Sequence, residues 1–374
     1  MAEFNSFGKD LDEFKQLLIS NKFIKDKELS DLMSNVNDEE SQLTALLTHI
    51  KSRDKQEINL FIETIGDSYL TEDECDSSLM TLKYKLSESF KHFFCPPKLS
   101  SEELILINSQ KVKSNKYGDV YPMTARPRGF CIMIDNQQFK TNNLSDRKGS
   151  EVDSQTLSLV FSQLGFDVKH YINKTTNQMQ RILQSYSQNP ELSKHDALVV
   201  IILSHGIKDE IFGICGSTVK VDTILEYYNN INCSLLRNKP KMFFLSACRG
   251  EEDKQPKIDT GISCLSGAPL MMLRMSHMPT WSDIFVYYST INGYVSLRNT
   301  SSGSWFGHEL AKCLVEFAHR EHLHDLMTTK VAQRLHERFS VMNGKIVKQS
   351  IETQTKGFVK KLYFNPGLYE TDGQ

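Results

Sequence analysis

The chain has 374 residues, 39% hydrophobic and 24% charged, with a formal net charge of −2. That length exceeds the roughly 100 to 200 residues of a usual domain, and the composition is that of an ordinary globular protein with enough apolar material for a sizeable core, not of a disordered or strongly basic chain. No apolar run approaches the roughly 20 residues a membrane helix requires. The eight scattered cysteines include no C-x-x-C pair, so a reduced, cytoplasmic protein is expected, with no membrane, metal or cofactor.

The opening M-A-E-F-N-S-F-G-K-D lacks a basic stretch followed by an apolar core, so no secretory signal is expected. Residues 1–92 carry 11 basic against 19 acidic side chains, a net of −8, which leaves +6 on the remainder. Such a module favours a basic partner surface and disfavours nucleic acid. Its apolar residues follow helical spacing: Leu11, Phe14, Leu17 and Leu18, then Leu43, Leu46, Leu47 and Ile50, then Ile58, Phe61, Ile62 and Ile65. Polar joints such as Asn35-Val36-Asn37-Asp38 separate them, which predicts a helical bundle over 1–92. The pattern breaks at His92-Phe93-Phe94-Cys95-Pro96-Pro97, and 93–125 reads as a linker.

From Arg126 strands and helices alternate. Phe130 to Ile134 reads as a strand, and Leu157, Val160, Phe161 and Leu164 as a helix stopped by Gly165. A strand at Asp167–Ile172, a helix near 176–187, the strand V-V-I-I-L-S-H-G (199–206), a helix near 222–230 and the strand K-M-F-F-L-S-A-C-R-G (241–250) follow. This order predicts a mostly parallel sheet with helices on both faces. Residues 251–279 lose all periodicity and read as a long loop. Strand character returns at Ile284–Ser289, followed by helices bearing Leu310, Cys313, Leu314, Phe317 and Met327, Val331, Leu335, Phe339, and a last strand at Phe358–Phe364.

The strands at 199–206 and 241–250 end in small or polar residues that include His205 and Cys248. Parallel strands present such ends at the crevice where α/β sheets bind ligands. A thiol attacks as thiolate, and a neighbouring imidazole can take its proton. Gly206 adds an unobstructed backbone N–H, which with that of Cys248 could hold an oxyanion.

The S-H-G and A-C-R-G segments resemble those of the caspases, the aspartate-directed cysteine proteases. R-P-R-G-F-C-I-M-I-D-N-Q-Q-F resembles the first strand of their catalytic domain, D-R-K-G-S-E-V-D their first substrate-binding loop, and S-L-R-N-T-S-S-G-S-W-F the small-subunit loop lining the cleft. The resemblance spans 126–366. It implies a caspase-like sandwich preceded by an all-α death-fold bundle, with a catalytic domain at 126–370: large subunit about 126–259, intersubunit linker about 251–279 and small subunit about 280–370. It makes Cys248 the nucleophile, His205 the acid/base, Gly206 an oxyanion donor, and Arg147 and Arg298 the clamp for the P1 aspartate, whose carbonyl is attacked. Two guanidiniums suit one carboxylate and reject neutral or basic side chains. Ser296 and Arg298 would offer backbone groups to an extended substrate, with Asn299 and Trp305 reading residues further from the cut; Trp305 reads equally as a core aromatic.

Two positions depart from the family. Ser246 stands where most caspases have Gln, and Leu297 where an aromatic usually shapes S2, so Asp preference with altered subsites and some tolerance of Glu is expected. The resemblance also implies a zymogen processed at Asp259 or Asp253, with Asp76 as a prodomain candidate. Q-L-T-A-L-L-T-H-I-K-S-R-D-K-Q-E-I-N-L-F-I-E-T-I resembles a caspase recruitment domain, and residues 1–92 are too few for tandem death-effector domains, the main rival. An initiator role in apoptosis or related signalling follows, with a death-fold scaffold bound through 1–92 and catalytic units pairing as a homodimer along 358–364. The alternatives are a non-catalytic homologue acting as a regulatory dimerisation or adaptor protein, and a related peptidase of basic specificity, for which no acidic residues stand at 147 and 298.

Overall fold

The computed structural model describes residues 2–34, 36–53, 57, 58, 61, 97–113, 118–250, 279–338, 340–342 and 345–369. Two units emerge, residues 1–96 with 339–348, and 97–338 with 349–374.

In the first unit the expected stripes become α1 (Ala2–Ser20) and α3 (Glu39–Lys51), with α2 (Asp26–Met33) between them. Leu11, Phe14 and Leu18 of α1 meet Leu43, Leu46, Leu47 and Ile50 of α3, closed by Phe23, Ile24, Ile58 and Phe61. The Phe61 ring stands edge-on to Phe14 and Phe23, 6.2 and 5.3 Å away. Asp38 in the expected polar joint accepts from the Ser41 amide at 2.8 Å and starts α3. These helices fit a death-fold bundle; Ile62 and Ile65 lie outside the described residues.

The four inner strands of the second unit's main sheet are buried along their whole length, which is what a sheet covered on both faces demands. In chain order it has β1 (Phe130–Asp135), α4 (Ser150–Gln163), β2 (Asp167–Ile172), α5 (Thr176–Ser187), β3 (Leu198–Leu203), a small antiparallel sheet of β4 (Gly206–Ile207), β5 (Glu210–Phe212) and β6 (Thr218–Lys220), then α6 (Val221–Glu226) and β7 (Lys241–Ser246). β8 (Ile284–Tyr288), β9 (Arg298–Asn299), β10 (Gly303–Ser304) and α7 (Trp305–Phe317) follow. A helical turn α8 (Leu323–Asp325) runs through a π-helical stretch, Leu326–Val331, into α9 (Ala332–Glu337). A hairpin of β11 (Ser340–Met342) and β12 (Lys345–Val347), grouped with the first unit, and β13 (Glu352–Lys356) complete the chain.

The main sheet has the order β13-β8-β7-β3-β1-β2 and is parallel except at β13. Met179 and Leu183 of α5 and Ile224 and Leu225 of α6 cover one face, packing on Ile134, Val200, Ile202 and Phe243. On the other, Phe161 of α4 lies 5.7 Å from Phe244, and Phe306 of α7 stacks on Tyr287 at 5.3 Å. Gly165 takes φ +88° after α4, as its helix-stopping role requires.

Three expectations need adjustment. The last sheet strand is Glu352–Lys356, antiparallel to β8, and not 358–364, which contributes a single bridge between Lys361 and Val120. Leu362 and Phe364 supplied the misleading apolar pattern; they are buried but not in the sheet. The helix near 222–230 is α6, ending at Glu226. The described residues of 97–125 form no helix or strand of their own yet bury Leu99, Leu104, Leu106, Tyr121 and Met123. Tyr121 donates to Asp283 at 2.8 Å, and the amides of Thr124 and Ala125 to Asp196, both at 2.7 Å. Among the described residues no helix is long and apolar enough to cross a membrane.

Candidate active site

β3 and β7 pair in parallel with Leu203 opposite Ser246. Both chains then leave the sheet, and two residues on they present His205 and Cys248 at the same edge. Ser204 N–H still reaches the Ser246 carbonyl at 3.1 Å, which keeps the two exits in step. Gly206 is needed for that closeness: a Cβ there would stand 2.7 Å from the Cys248 carbonyl oxygen and 2.9 Å from that of Glu210.

His205 is half-buried, with its ring 4.7 Å from that of Phe139 and its Nε2 2.7 Å from the Ser145 carbonyl oxygen. A carbonyl only accepts, so Nε2 carries the hydrogen and Nδ1 is left as the acceptor. Burial holds the imidazole below its ordinary range against the pull of the Ser145 carbonyl, and the Arg147 and Arg298 charges add to the lowering. The ring is therefore neutral at neutral pH and able to take a proton from a thiol. Ser145 was not foreseen: its part is played by backbone, which no residue type announces.

Arg147 is 3% exposed. Its Nη1 donates to Ser150 Oγ at 2.6 Å and to the Asn136 carbonyl at 3.3 Å. Ser150 passes the contact on to Asp135 Oδ1 at 2.6 Å, and Asp135 lies 3.8 Å from Nη1 itself. Asp135, at the end of β1, and Ser150, at the start of α4, are further residues the sequence reading missed. Burial, reinforced by the nearby charge of Arg298, lowers Arg147 to about 10, so it stays a cation at neutral pH. Arg298 is half-buried and its Nε donates to the Lys148 carbonyl at 2.9 Å. The two cations are near enough for the charge of Arg298 to help lower Arg147, an arrangement that would suit an anion.

The remaining expected residues fall into two groups. Ser246 is 1% exposed, and its Oγ and that of Ser296 are buried with no hydrogen-bond partner among the described residues. Leu297 and Trp305 are 8% and 4% exposed. The Leu297 amide donates to Gln349 Oε1 at 2.7 Å, and its carbonyl accepts from the Trp305 amide at 3.1 Å. Asn299 turns its Oδ1 onto the amides of Ser301 and Ser302, 2.8 and 3.1 Å away, and so shapes its own loop. Asp76, Asp253 and Asp259 lie outside the described residues.

Arg249, next to Cys248, is 4% exposed and anchored on three sides. It pairs with Asp209 at 2.7 Å and with Glu352 of β13, and its guanidinium lies 3.9 Å from the Tyr288 ring centre. The thiol's loop is thereby tied to the sheet's edge strand. Among the described residues no cluster of His, Cys, Asp and Glu could hold a metal ion.

A neutral imidazole and a thiol at adjacent strand ends, beside two cationic arginines, is the arrangement that a cysteine hydrolase acting next to an anionic group would need. Comparison with known proteins narrows the class. The caspase-domain model matches residues 128–363. Chicken caspase-2 is 30% identical over 227 residues, covering 58% of this chain and 53% of that protein, and rabbit caspase-3 is 32% identical over 261 residues, covering 68% and 91%. The chain thus spans about half the length of the caspase-2 relative and nearly all of the caspase-3 relative. The crystal structure of caspase-1 from Spodoptera frugiperda superposes with a TM-score of 0.59 at 26% identity, over 69% of this chain and 99% of that one. The chain belongs to the caspase family of cysteine endopeptidases.

Proposed function

We propose that the chain cleaves proteins after aspartate, with Cys248 as nucleophile, His205 as its base and Gly206 in the oxyanion site. The observation that carries this reading is the shared location of the buried Arg147 cation and Arg298 beside the thiol–imidazole pair. A P1 carboxylate gains charge-assisted bonds from both guanidiniums, whereas a neutral side chain offers neither of them a counter-charge. Ser296, Leu297, Asn299 and Trp305 would line the subsites further from the cut.

Ser246 shapes the finer specificity. Its short, buried hydroxyl has no partner among the described residues, and it occupies a position where a Gln would fill more of the pocket. Peptide-library profiling is expected to give cleavage chiefly after Asp, with a measurable share after Glu. Cleavage chiefly after other residues would sink the assignment.

Residues 1–92 are proposed as a recruitment module that gathers chains on a scaffold through its acidic surface, which makes this an initiator in apoptosis or related signalling. The death-fold character of α1–α3 supports this. Dimerisation would use the β13 edge of the sheet, and zymogen processing Asp259 or Asp253, with Asp76 releasing the module. The described cysteines are all free thiols, which suits the cytoplasm. Full-length protein should gain activity on Asp peptides as concentration drives it from monomer to dimer, and crowding on a scaffold should help only when 1–92 is present. Equal scaffold response after deletion of 1–92, with size followed by light scattering, would refute the recruitment role.

A further inference from the structure

Arg147 and Arg298 reach the site from separate parts of the chain, one from the loop before α4 and the other from β9. Recognition of one carboxylate requires that their separation be fixed. One junction is the bond from Arg298 Nε to the Lys148 carbonyl. A second lies deeper, at Asp153 in the first turn of α4.

Asp153 is 2% exposed, and its Oδ1 and Oδ2 both accept from the Ser304 amide, at 2.8 and 3.0 Å. Ser304 is the N-cap of α7, its own Oγ accepting from the Gly307 amide at 2.9 Å. The carboxyl group therefore sits where the start of a helix favours negative charge. The slot is also cut to its shape. A Cβ on Gly303 or Gly307 would stand 2.4 Å from Asp153 Oδ1. Arg147 precedes Asp153, and Arg298 precedes Ser304, by the same six residues, so this bond ties together the two segments that bear the arginines.

We propose that Asp153 is a positioning residue for P1 recognition, holding the Ser304 amide so that the Arg298 strand stays fixed against α4 and the Arg147 loop that leads into it. The proposal rests on the reading of Arg147 and Arg298 as the carboxylate clamp. Burial, only partly offset by the Ser304 bonds and by Arg147, pushes the Asp153 carboxyl up to about 7, while Asp135 adds to the rise and Arg298 faces it as a second cation. Both the ionised and the protonated form keep an oxygen that accepts from Ser304. An amide does the same, so geometry and not charge is the function of the side chain.

Asp153→Ala is expected to raise KM for a P1-Asp peptide about tenfold while kcat changes less than about threefold, the pattern of lost uniform binding. Asp153→Asn should restore both constants to within about threefold of wild type. Gly307→Ala, which places a methyl against Oδ1 and leaves Asp153 itself unchanged, should raise KM in the same selective way. It decides the matter if Asp153→Ala does not fold. Alkylation of Cys248 by iodoacetamide, which needs no P1 group, should proceed at the wild-type rate in each folded variant. An unchanged KM in Asp153→Ala, or in Gly307→Ala if that is the variant that folds, overturns the proposal, as does an Asn variant no better than Ala. A wild-type enzyme indifferent to Asp or Asn at P1 overturns the clamp instead, and with it any role for the tie in substrate recognition.

Discussion

Arg147→Ala is expected to lower kcat/KM on a P1-Asp peptide by about a thousandfold, because truncating one partner of a desolvated charge pair costs roughly 2 to 5 kcal/mol or more. The guanidinium is almost wholly buried, so water cannot replace it. It is also held before substrate arrives, through Ser150 Oγ and the Asn136 carbonyl, and little ordering remains to be done on binding. Arg147→Lys keeps the charge and loses the fork that grips a carboxylate with two parallel bonds, so a loss of about a hundredfold is expected. Arg298 is less buried and its alanine variant should lose less than that of Arg147. Stability must be followed in parallel, since Arg147→Ala leaves the buried Asp135 with Ser150 and Gln137, each at 2.6 Å, and His170 at 3.9 Å. A folded Arg147→Ala protein that keeps more than a tenth of wild-type kcat/KM on Asp peptides would remove Arg147 from the site.

The parts of this fold that could be read from the sequence are those where side chains alone bear the pattern. β1, β3, β7 and β8 are buried on both faces and stand out as continuous apolar runs. Cys248 and His205 stood out because each breaks such a run at its end. The edge strand was missed for the converse reason: E-T-Q-T-K is half-exposed along its length and has no apolar residue, so its place is set by pairing with β8. α2 escaped because Leu29, Leu32 and Met33 are only partly buried and give a weak stripe. The support behind the site was equally hidden. The Ser145 contact is made by backbone, and Asp135, Ser150 and Asp153 look like surface residues until the sheet and α4 close over them.

Cys248→Ala is expected to reduce turnover by at least about 10⁴-fold, and His205→Ala to a similar level, with the double variant little worse than either because nucleophile and base act as a unit. The pH profile separates the two roles. His205 must be neutral to accept the thiol proton, and burial together with the two arginines holds it below its ordinary range. The acid limb of kcat/KM should therefore fall below the roughly 6.5 of a free imidazole, activity persisting down to that lower pH and then declining as the ring is protonated. Replacing Arg298 by Ala removes one of the charges that oppose His205 protonation, so the limb should move upward in pH. Substrate binding should weaken in the same variant, and iodoacetamide alkylation of Cys248 provides the readout free of that effect. An alkylation profile that is the same in wild type, His205→Ala and Arg298→Ala would mean that the thiol ionises without reference to the imidazole, and the pair at the two strand ends would then be neighbours without being partners.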